Sequence, residues 1–301
     1  MRPSKDSPFS NGPRIKKNVF YRKGGRITDI ETILEKYKSG AISLREAEES
    51  VRSMGFLAVG DIAKVDTFRC RRTGVPEAIL AEGKDDDDLI RIIRAHAEVG
   101  SRSLITRVSP SQAAKIKAAF LPSQVEAGRY GSTMVVHDGT NTADKIKKTG
   151  GVVAVISAGT ADIRAAEEAC ITAREMGCRT IEIYDVGVAG YHRLILEMNK
   201  LDKSAPDAVV VAAGREGTLP TVVAGIIDAP VIGLPVSTGY GAGANGKAAL
   251  YAMLQSCSVI TVVNIDAGFT AGAYAARIAN RAAALRNNEA GFPHPGRGDT
   301  E

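Results

Sequence analysis

The chain has 301 residues, 44% of them hydrophobic and 24% charged, with a formal charge of +5 at pH 7. That length holds two ordinary domains or one large one, and an aromatic content of 5% without tryptophan argues against a stacking platform for single-stranded nucleic acid. Much of the positive charge lies in an N-terminal run (Arg2, Lys5, Arg14, Lys16, Lys17, Arg22, Lys23, Arg26), so it says little about the folded body, and no nucleic-acid partner is expected.

Residues 1–28 read as a flexible basic leader without the apolar core of a secretion signal. Two helices follow, the second opening on the capping-box pattern Ser43 to Glu46 and running toward Met54. A strand is predicted over 63–68 and a helix over 85–98, whose four aspartates Asp85 to Asp88 favour the positive end of the helix dipole. Strands at 103–106 and 133–137 flank a helix at 111–120. Residues 29–148 thus form a smaller N-terminal mixed α/β domain whose topology the sequence leaves open.

From Gly151 the pattern becomes regular. Apolar, largely β-branched runs at 152–156, 180–184, 208–213, 230–234 and 259–265 alternate with helical segments at 162–176, 191–199, 219–227, 247–255 and 271–285. Continuous apolar strands between helices predict a parallel sheet covered on both faces, a three-layer domain over 149–286. Residues 287–301 read as a loose tail. No apolar run approaches a membrane span, and the dispersed Cys70, Cys170, Cys178 and Cys257 lack disulfide or zinc spacing. Free thiols in a cytoplasmic protein are expected.

Parallel sheets bind ligands at the carboxyl ends of their strands. Five loops qualify: 157–162 with Ser157, Gly159, Thr160 and Asp162; 185–190 with Asp185; 214–217 with Gly214, Arg215, Glu216 and Gly217; 237–246 with Gly239, Tyr240 and Gly241; and 264–268 with Asn264, Asp266 and Gly268. Glycines allow close backbone approach, and free amides and hydroxyls suit phosphate oxygens. No dinucleotide fingerprint of the G-x-G-x-x-G type is present. Glu216 stands at a loop mouth, as a general base would, or pairs with Arg215. His192 opens a helix, and Asp162 is a natural N-cap that a ligand could also reach. Cys257 ends a helix ahead of a buried-looking strand. It reads as core filler or, in the company of the loops, as a nucleophile.

The segments 153–162, 190–193, 210–220 and 230–236 resemble class I aminoimidazole ribonucleotide carboxylase. The N-terminal segments 66–69, 72–77, 82–84 and 106–107, together with 214–220, 239–241, 254–257 and 263–269, resemble the LarB family, pyridinium-3,5-biscarboxylic acid mononucleotide synthase. The resemblance implies carboxylation of nicotinic acid adenine dinucleotide at C5 of its pyridinium ring with CO2 or bicarbonate as co-substrate. Hydrolysis of the phosphoanhydride then releases AMP, and the product serves nickel-pincer cofactor synthesis. It implies a Cys257 thiolate adduct, Glu216 as the proton-handling carboxylate, Mg2+ at the anhydride without assigned ligands, and a homo-oligomer with sites between subunits. Arg215 stands where that family usually has methionine, and Ala267 where it usually has asparagine. An imidazole-ribonucleotide carboxylase using His192 and a non-catalytic nucleotide-binding protein are the alternatives.

Overall fold

A computed structural model describes residues 30–53, 57–66, 69–98, 102–138 and 146–289. The leader and residues 290–301 lie outside the described residues. Helices α1 (Ile30–Lys38) and α2 (Leu44–Ser53) come first. The expected capping box forms: the Ser43 amide donates to the Glu46 carboxylate at 2.7 Å, and the Glu46 amide donates to Ser43 Oγ at 3.2 Å. Strands β1 (Leu57–Val59) and β2 (Ala63–Val65) pair as a hairpin ahead of the short helix α3 (Arg69–Thr73).

Strand β3 (Ala78–Leu80), helix α4 (Asp86–Glu98), strand β4 (Ser103–Thr106), helix α5 (Pro110–Ala119) and strands β5 (Val125–Ala127) and β6 (Met134–Val136) follow. Their sheet has the order β3-β4-β6-β5, parallel between β3 and β4 and antiparallel elsewhere. Its core is Ile79, Leu89, Ile93, Ile105, Ile116 and Met134. The aspartate run works as a helix start: Asp85 Oδ1 accepts the amides of Asp87 at 2.9 Å and Asp88 at 3.3 Å.

The second domain alternates β7 (Val152–Ser157), α6 (Ile163–Glu175), β8 (Arg179–Ile183), α7 (Tyr191–Ser204), β9 (Ala208–Ala213), α8 (Leu219–Ala224), β10 (Val231–Pro235), α9 (Lys247–Leu254), β11 (Thr261–Val262) and α10 (Gly268–Glu289). The five strands are all parallel in the order β11-β10-β9-β7-β8. Side chains alternate between faces, as the pleat requires. Val153, Val155 and Val210 pack with α6 and α10, while Ala154, Ile156 and Val209 pack with α7, α8 and α9. The three-layer α/β expectation therefore holds.

Two elements differ from expectation. Helix α10 opens at Gly268 rather than 271 and runs beyond 286 to Glu289. The strand expected over 259–265 shrinks to two residues, since edge strand β11 pairs with β10 only at Thr261 and Val262. Its lead-in faces solvent, and Val259 is 96% exposed rather than buried.

The two domains are fastened by Arg102, which donates to both oxygens of Glu175 at 2.8 and 2.9 Å and to Glu126 at 2.9 Å. Among the described residues all four cysteines are free. No helix there is long and apolar enough to cross a membrane.

Candidate active site

The carboxyl ends of β7, β9 and β10 are joined by one side chain. Asp162 is buried; its Oδ2 accepts the Gly159 amide at 2.8 Å, and its Oδ1 accepts the Gly214 amide at 3.1 Å and the Thr238 hydroxyl at 2.8 Å. Its carboxylate makes no capping bond to α6, because these donors occupy its oxygens. Burial pushes the Asp162 carboxyl above its ordinary range and nearby Asp266 adds to the rise, against the pull of the three donors. Asp162 is therefore the knot of three loops rather than a free ligand.

Gly214 is fitted to this knot. A Cβ there would lie 2.2 Å from Thr238 Oγ1 and 3.0 Å from Asp162 Oδ1. Gly217 has φ +62, and its bare Cα faces the Ala249 backbone in the first turn of α9. Ser157 is also committed, accepting the Asp185 amide at 3.2 Å and so holding the next loop. Asp185 in turn accepts from Arg193 at 2.7 Å. Gly268 has a packing duty instead: a Cβ would stand 2.5 Å from the Ala165 carbonyl, where α10 crosses α6.

Arg215 turns away from Glu216. From a left-handed backbone (φ 44) its Nη1 donates to Tyr240 Oη at 3.0 Å, and its guanidinium carbon lies 5.0 Å from the Tyr240 ring centroid. The Arg215–Glu216 pair considered from sequence is thus replaced by a bridge between two loops. Glu216 is left exposed, with no partner for its carboxylate among the described residues. Thr160 and His192 are exposed as well, His192 beside the edge of the Tyr191 ring at 6.5 Å. Gly239 and Gly241 flank Tyr240 on the outer loop, and Asn264 Oδ1 accepts the following amide of Ile265 at 2.9 Å.

Cys257 does not share this edge. It lies four residues ahead of β11, whose first residue pairs with Ile232 near the start of β10, whereas Glu216 follows the end of β9. All strands being parallel, Cys257 stands toward the amino ends of the strands and Glu216 at their carboxyl ends, with the eight-residue helix α9 preceding the cysteine loop. The cysteine loop is held there by Thr221, which donates to Ser256 Oγ at 2.8 Å and accepts from Ser258 Oγ at 3.0 Å. Cys257 is exposed, among exposed Tyr251, Leu254 and Val259.

Three members of the site carried a weak sequence signal or none. Thr238 had none. Glu168 is a carboxylate on the apolar stripe of α6 beside Ala165 and Ala169; it is buried and accepts the Phe269 amide at 2.8 Å. Burial raises its carboxyl above the ordinary range, opposed by that amide and by Arg107. Arg107, from the N-terminal domain, donates to the backbone carbonyl of Asp266 at 3.2 Å. Among the described residues no group of three or more His, Cys, Asp or Glu is assembled to hold a metal ion. A dedicated Mg2+ cage therefore does not fit the described residues of this edge.

The arrangement is a carboxyl edge of loops tied together by Asp162, with the exposed carboxylate of Glu216, the exposed Thr160 and an outer loop strapped by Arg215 and Tyr240. Residues 152–290 match the model of the AIR carboxylase domain, and residues 56–136 match the LarB/PurE-like N-terminal domain. An uncharacterized protein of Methanocaldococcus jannaschii is 36% identical over 255 residues, covering 83% of this chain and 97% of that one. The order of the two matched domains and the five-stranded parallel sheet of the second agree, and the chain belongs to the LarB-like family with an AIR carboxylase-like domain.

Proposed function

We propose that this carboxylase-type enzyme acts on the pyridinium ring of nicotinic acid adenine dinucleotide, adding CO2 at C5 and hydrolysing the phosphoanhydride to release AMP. The observation that supports it best is the ranking of thiols. In the carboxylase-like domain Cys170 and Cys178 are buried, and burial pushes their thiols up to about 12 and about 11, whereas Cys257 is exposed. Only Cys257 in that domain is open to a substrate as a nucleophile.

A pyridinium carbon is too electron-poor to attack CO2. Addition of the Cys257 thiolate at C4 forms an S–C bond and sends an electron pair to the ring nitrogen. C5 then becomes an enamine carbon and bonds to CO2. Glu216 takes the proton from C5, and the thiolate leaves C4 to restore the pyridinium with one proton released overall. Splitting one difficult step into easier ones is what nucleophilic catalysis supplies. Water then cleaves the anhydride, with any Mg2+ carried by the phosphates themselves.

Because the fold holds Cys257 and Glu216 at opposite ends of the sheet, the reading places the site between copies, the thiol of one facing the loops of another. The exposed apolar side chains around Cys257 suit such an interface. Mass spectrometry of products from the dinucleotide, bicarbonate and Mg2+ tests both parts. Wild type should give AMP and a singly carboxylated mononucleotide, and Cys257→Ala and Glu216→Gln should each fall by at least a hundredfold. Co-assembled in equal amounts, those two variants should regain about a quarter of wild-type activity, since an independent draw restores both groups at one site in four. Turnover of an imidazole ribonucleotide by Cys257→Ala would replace the reading, and absence of complementation would return both groups to one chain.

A further inference from the structure

We infer that Arg107 of the N-terminal domain is a positioning residue for the catalytic cleft, clamping the Asp266 corner from across the domain boundary. Strands β3 and β4 run parallel, and just past their carboxyl ends stand Glu82 and Arg107. Arg107 Nη1 donates to Glu82 at 3.0 Å, and its Nη2 donates to the Asp266 carbonyl at 3.2 Å. Asp266 follows the carboxyl end of β11 in the other domain. A residue at the carboxyl end of the first sheet is thus bonded to a loop at the carboxyl end of the second, the edge where parallel sheets take their ligands.

The corner being held is a strained one. Asp266 (φ 53) and Arg107 (φ 52) both have left-handed backbones, a conformation that non-glycine residues keep only where their surroundings enforce it. The amide, the carbonyl and one carboxylate oxygen of Asp266 are each engaged. Its amide donates to the Pro235 carbonyl at 2.9 Å, and its carboxylate accepts the Ser237 amide at 3.0 Å. Its carbonyl is the one Arg107 holds. Ser237 opens the loop that carries Thr238, bound to Asp162, and Tyr240, bridged to Arg215. One guanidinium thus fixes the base of the outer loop. The planar fork suits the task, since it binds a carboxylate and a carbonyl with separate nitrogens. Arg107 also supplies positive charge beside Glu168 and Asp266.

The catalytic part of this inference rests on the proposed dinucleotide reaction; the clamp does not. Hydrogen exchange on the full-length chain reads the clamp without substrate. In Arg107→Ala the amides of Ser237 and Asp266 should exchange about tenfold faster, the size expected for one lost charge-assisted hydrogen bond, while amides of β9 stay unchanged. In steady-state assays KM for the dinucleotide should rise about tenfold with kcat within about threefold, and millimolar guanidinium should restore it. Should Arg107→Ala lose its fold, Arg107→Lys, which keeps the charge without the fork, carries the same test. Unchanged exchange and KM would overturn the inference, as would faster exchange spread equally through β9. A wild-type chain inert toward the dinucleotide would remove the proposed reaction while leaving the exchange result to decide the clamp.

Discussion

Substituting Gly214 with alanine tests whether three loops are held by one carboxylate. The new Cβ would sit 2.2 Å from Thr238 Oγ1 and 3.0 Å from Asp162 Oδ1, at a position without a left-handed φ, so the cost is steric rather than conformational. Overpacking costs roughly 1–3 kcal/mol, and the displaced Thr238 hydroxyl forfeits a charge-assisted hydrogen bond of about 1.5–3 kcal/mol. Gly214→Ala should therefore destabilise by about 3 kcal/mol, and Thr238→Ala, which loses only the bond, by about 1.5 kcal/mol. In the double variant the 2.2 Å contact no longer exists, and what remains is the milder approach to Asp162. The double variant should thus be about 1.5 kcal/mol more stable than the sum of the single effects predicts. Urea unfolding followed by far-ultraviolet circular dichroism measures all four proteins. Additivity within about 0.5 kcal/mol would mean that Gly214 and Thr238 do not meet at Asp162, and the loop knot would be wrong.

Iodoacetamide at about pH 8 should label Cys257 and Cys70 at least tenfold faster than Cys170 and Cys178, because burial holds the latter two thiols protonated; peptide mapping reads the rates, and equal labelling of the native chain would refute the ranking. Asp162 and Glu168 both have carboxyls raised above their ordinary values of 3.8 and 4.5, so the folded state binds protons more tightly than the unfolded one. Stability from these two groups is highest below those values and is lost as pH rises through the raised folded ones. The urea midpoint of Glu168→Gln should accordingly fall less than that of wild type from pH 4 upward, and parallel curves would show that Glu168 is not desolvated.

Much of the second domain could be read directly. Apolar runs at 152–156 and 208–213 became the central strands β7 and β9 within a residue or two, because a strand buried on both faces must be apolar throughout, and the run at 180–184 became β8 at the sheet edge. The run at 259–265 kept only two paired residues, since composition does not reveal how far a strand at the sheet edge stays in register with its neighbour. The N-terminal sheet was less legible. Strands β3 and β5 have three residues each, too short for a period to show, and their order depends on contacts between distant segments. At the site, the glycine-rich loops were visible but their wiring was not. Asp162 reads as an N-cap from its neighbours in sequence, yet besides Gly159 its partners are 52 and 76 residues away. The edge on which Cys257 stands depends on strand direction, which the local sequence around a cysteine does not encode.

Backbone strain gives evidence for the cleft that owes nothing to the family match. Among the described residues, non-glycine positive φ occurs at Arg107, Asp185, Ala205, Arg215, Asn245 and Asp266. Ala205 is the left-handed cap of α7, an ordinary use of that conformation. The others follow carboxyl-terminal strand ends or lie in the loop before α9, and each residue held so costs on the order of 1–3 kcal/mol unless its surroundings repay it. For Arg107 the repayment comes from Glu82 and Asp266, for Asp185 from Ser157 and Arg193, for Arg215 from Tyr240, and for Asp266 from Ser237 and Pro235. Asp185, Arg215, Asn245 and Asp266 gather at the carboxyl edge of the second sheet and Arg107 is bonded to it, whereas at the opposite edge Ala205, an ordinary helix cap, has such a backbone and the cysteine loop does not. Strain there is explained if these loops are shaped for a ligand. The unstrained cysteine loop, exposed like Leu254 and Val259 near it in sequence, is where the proposed contact between copies would form.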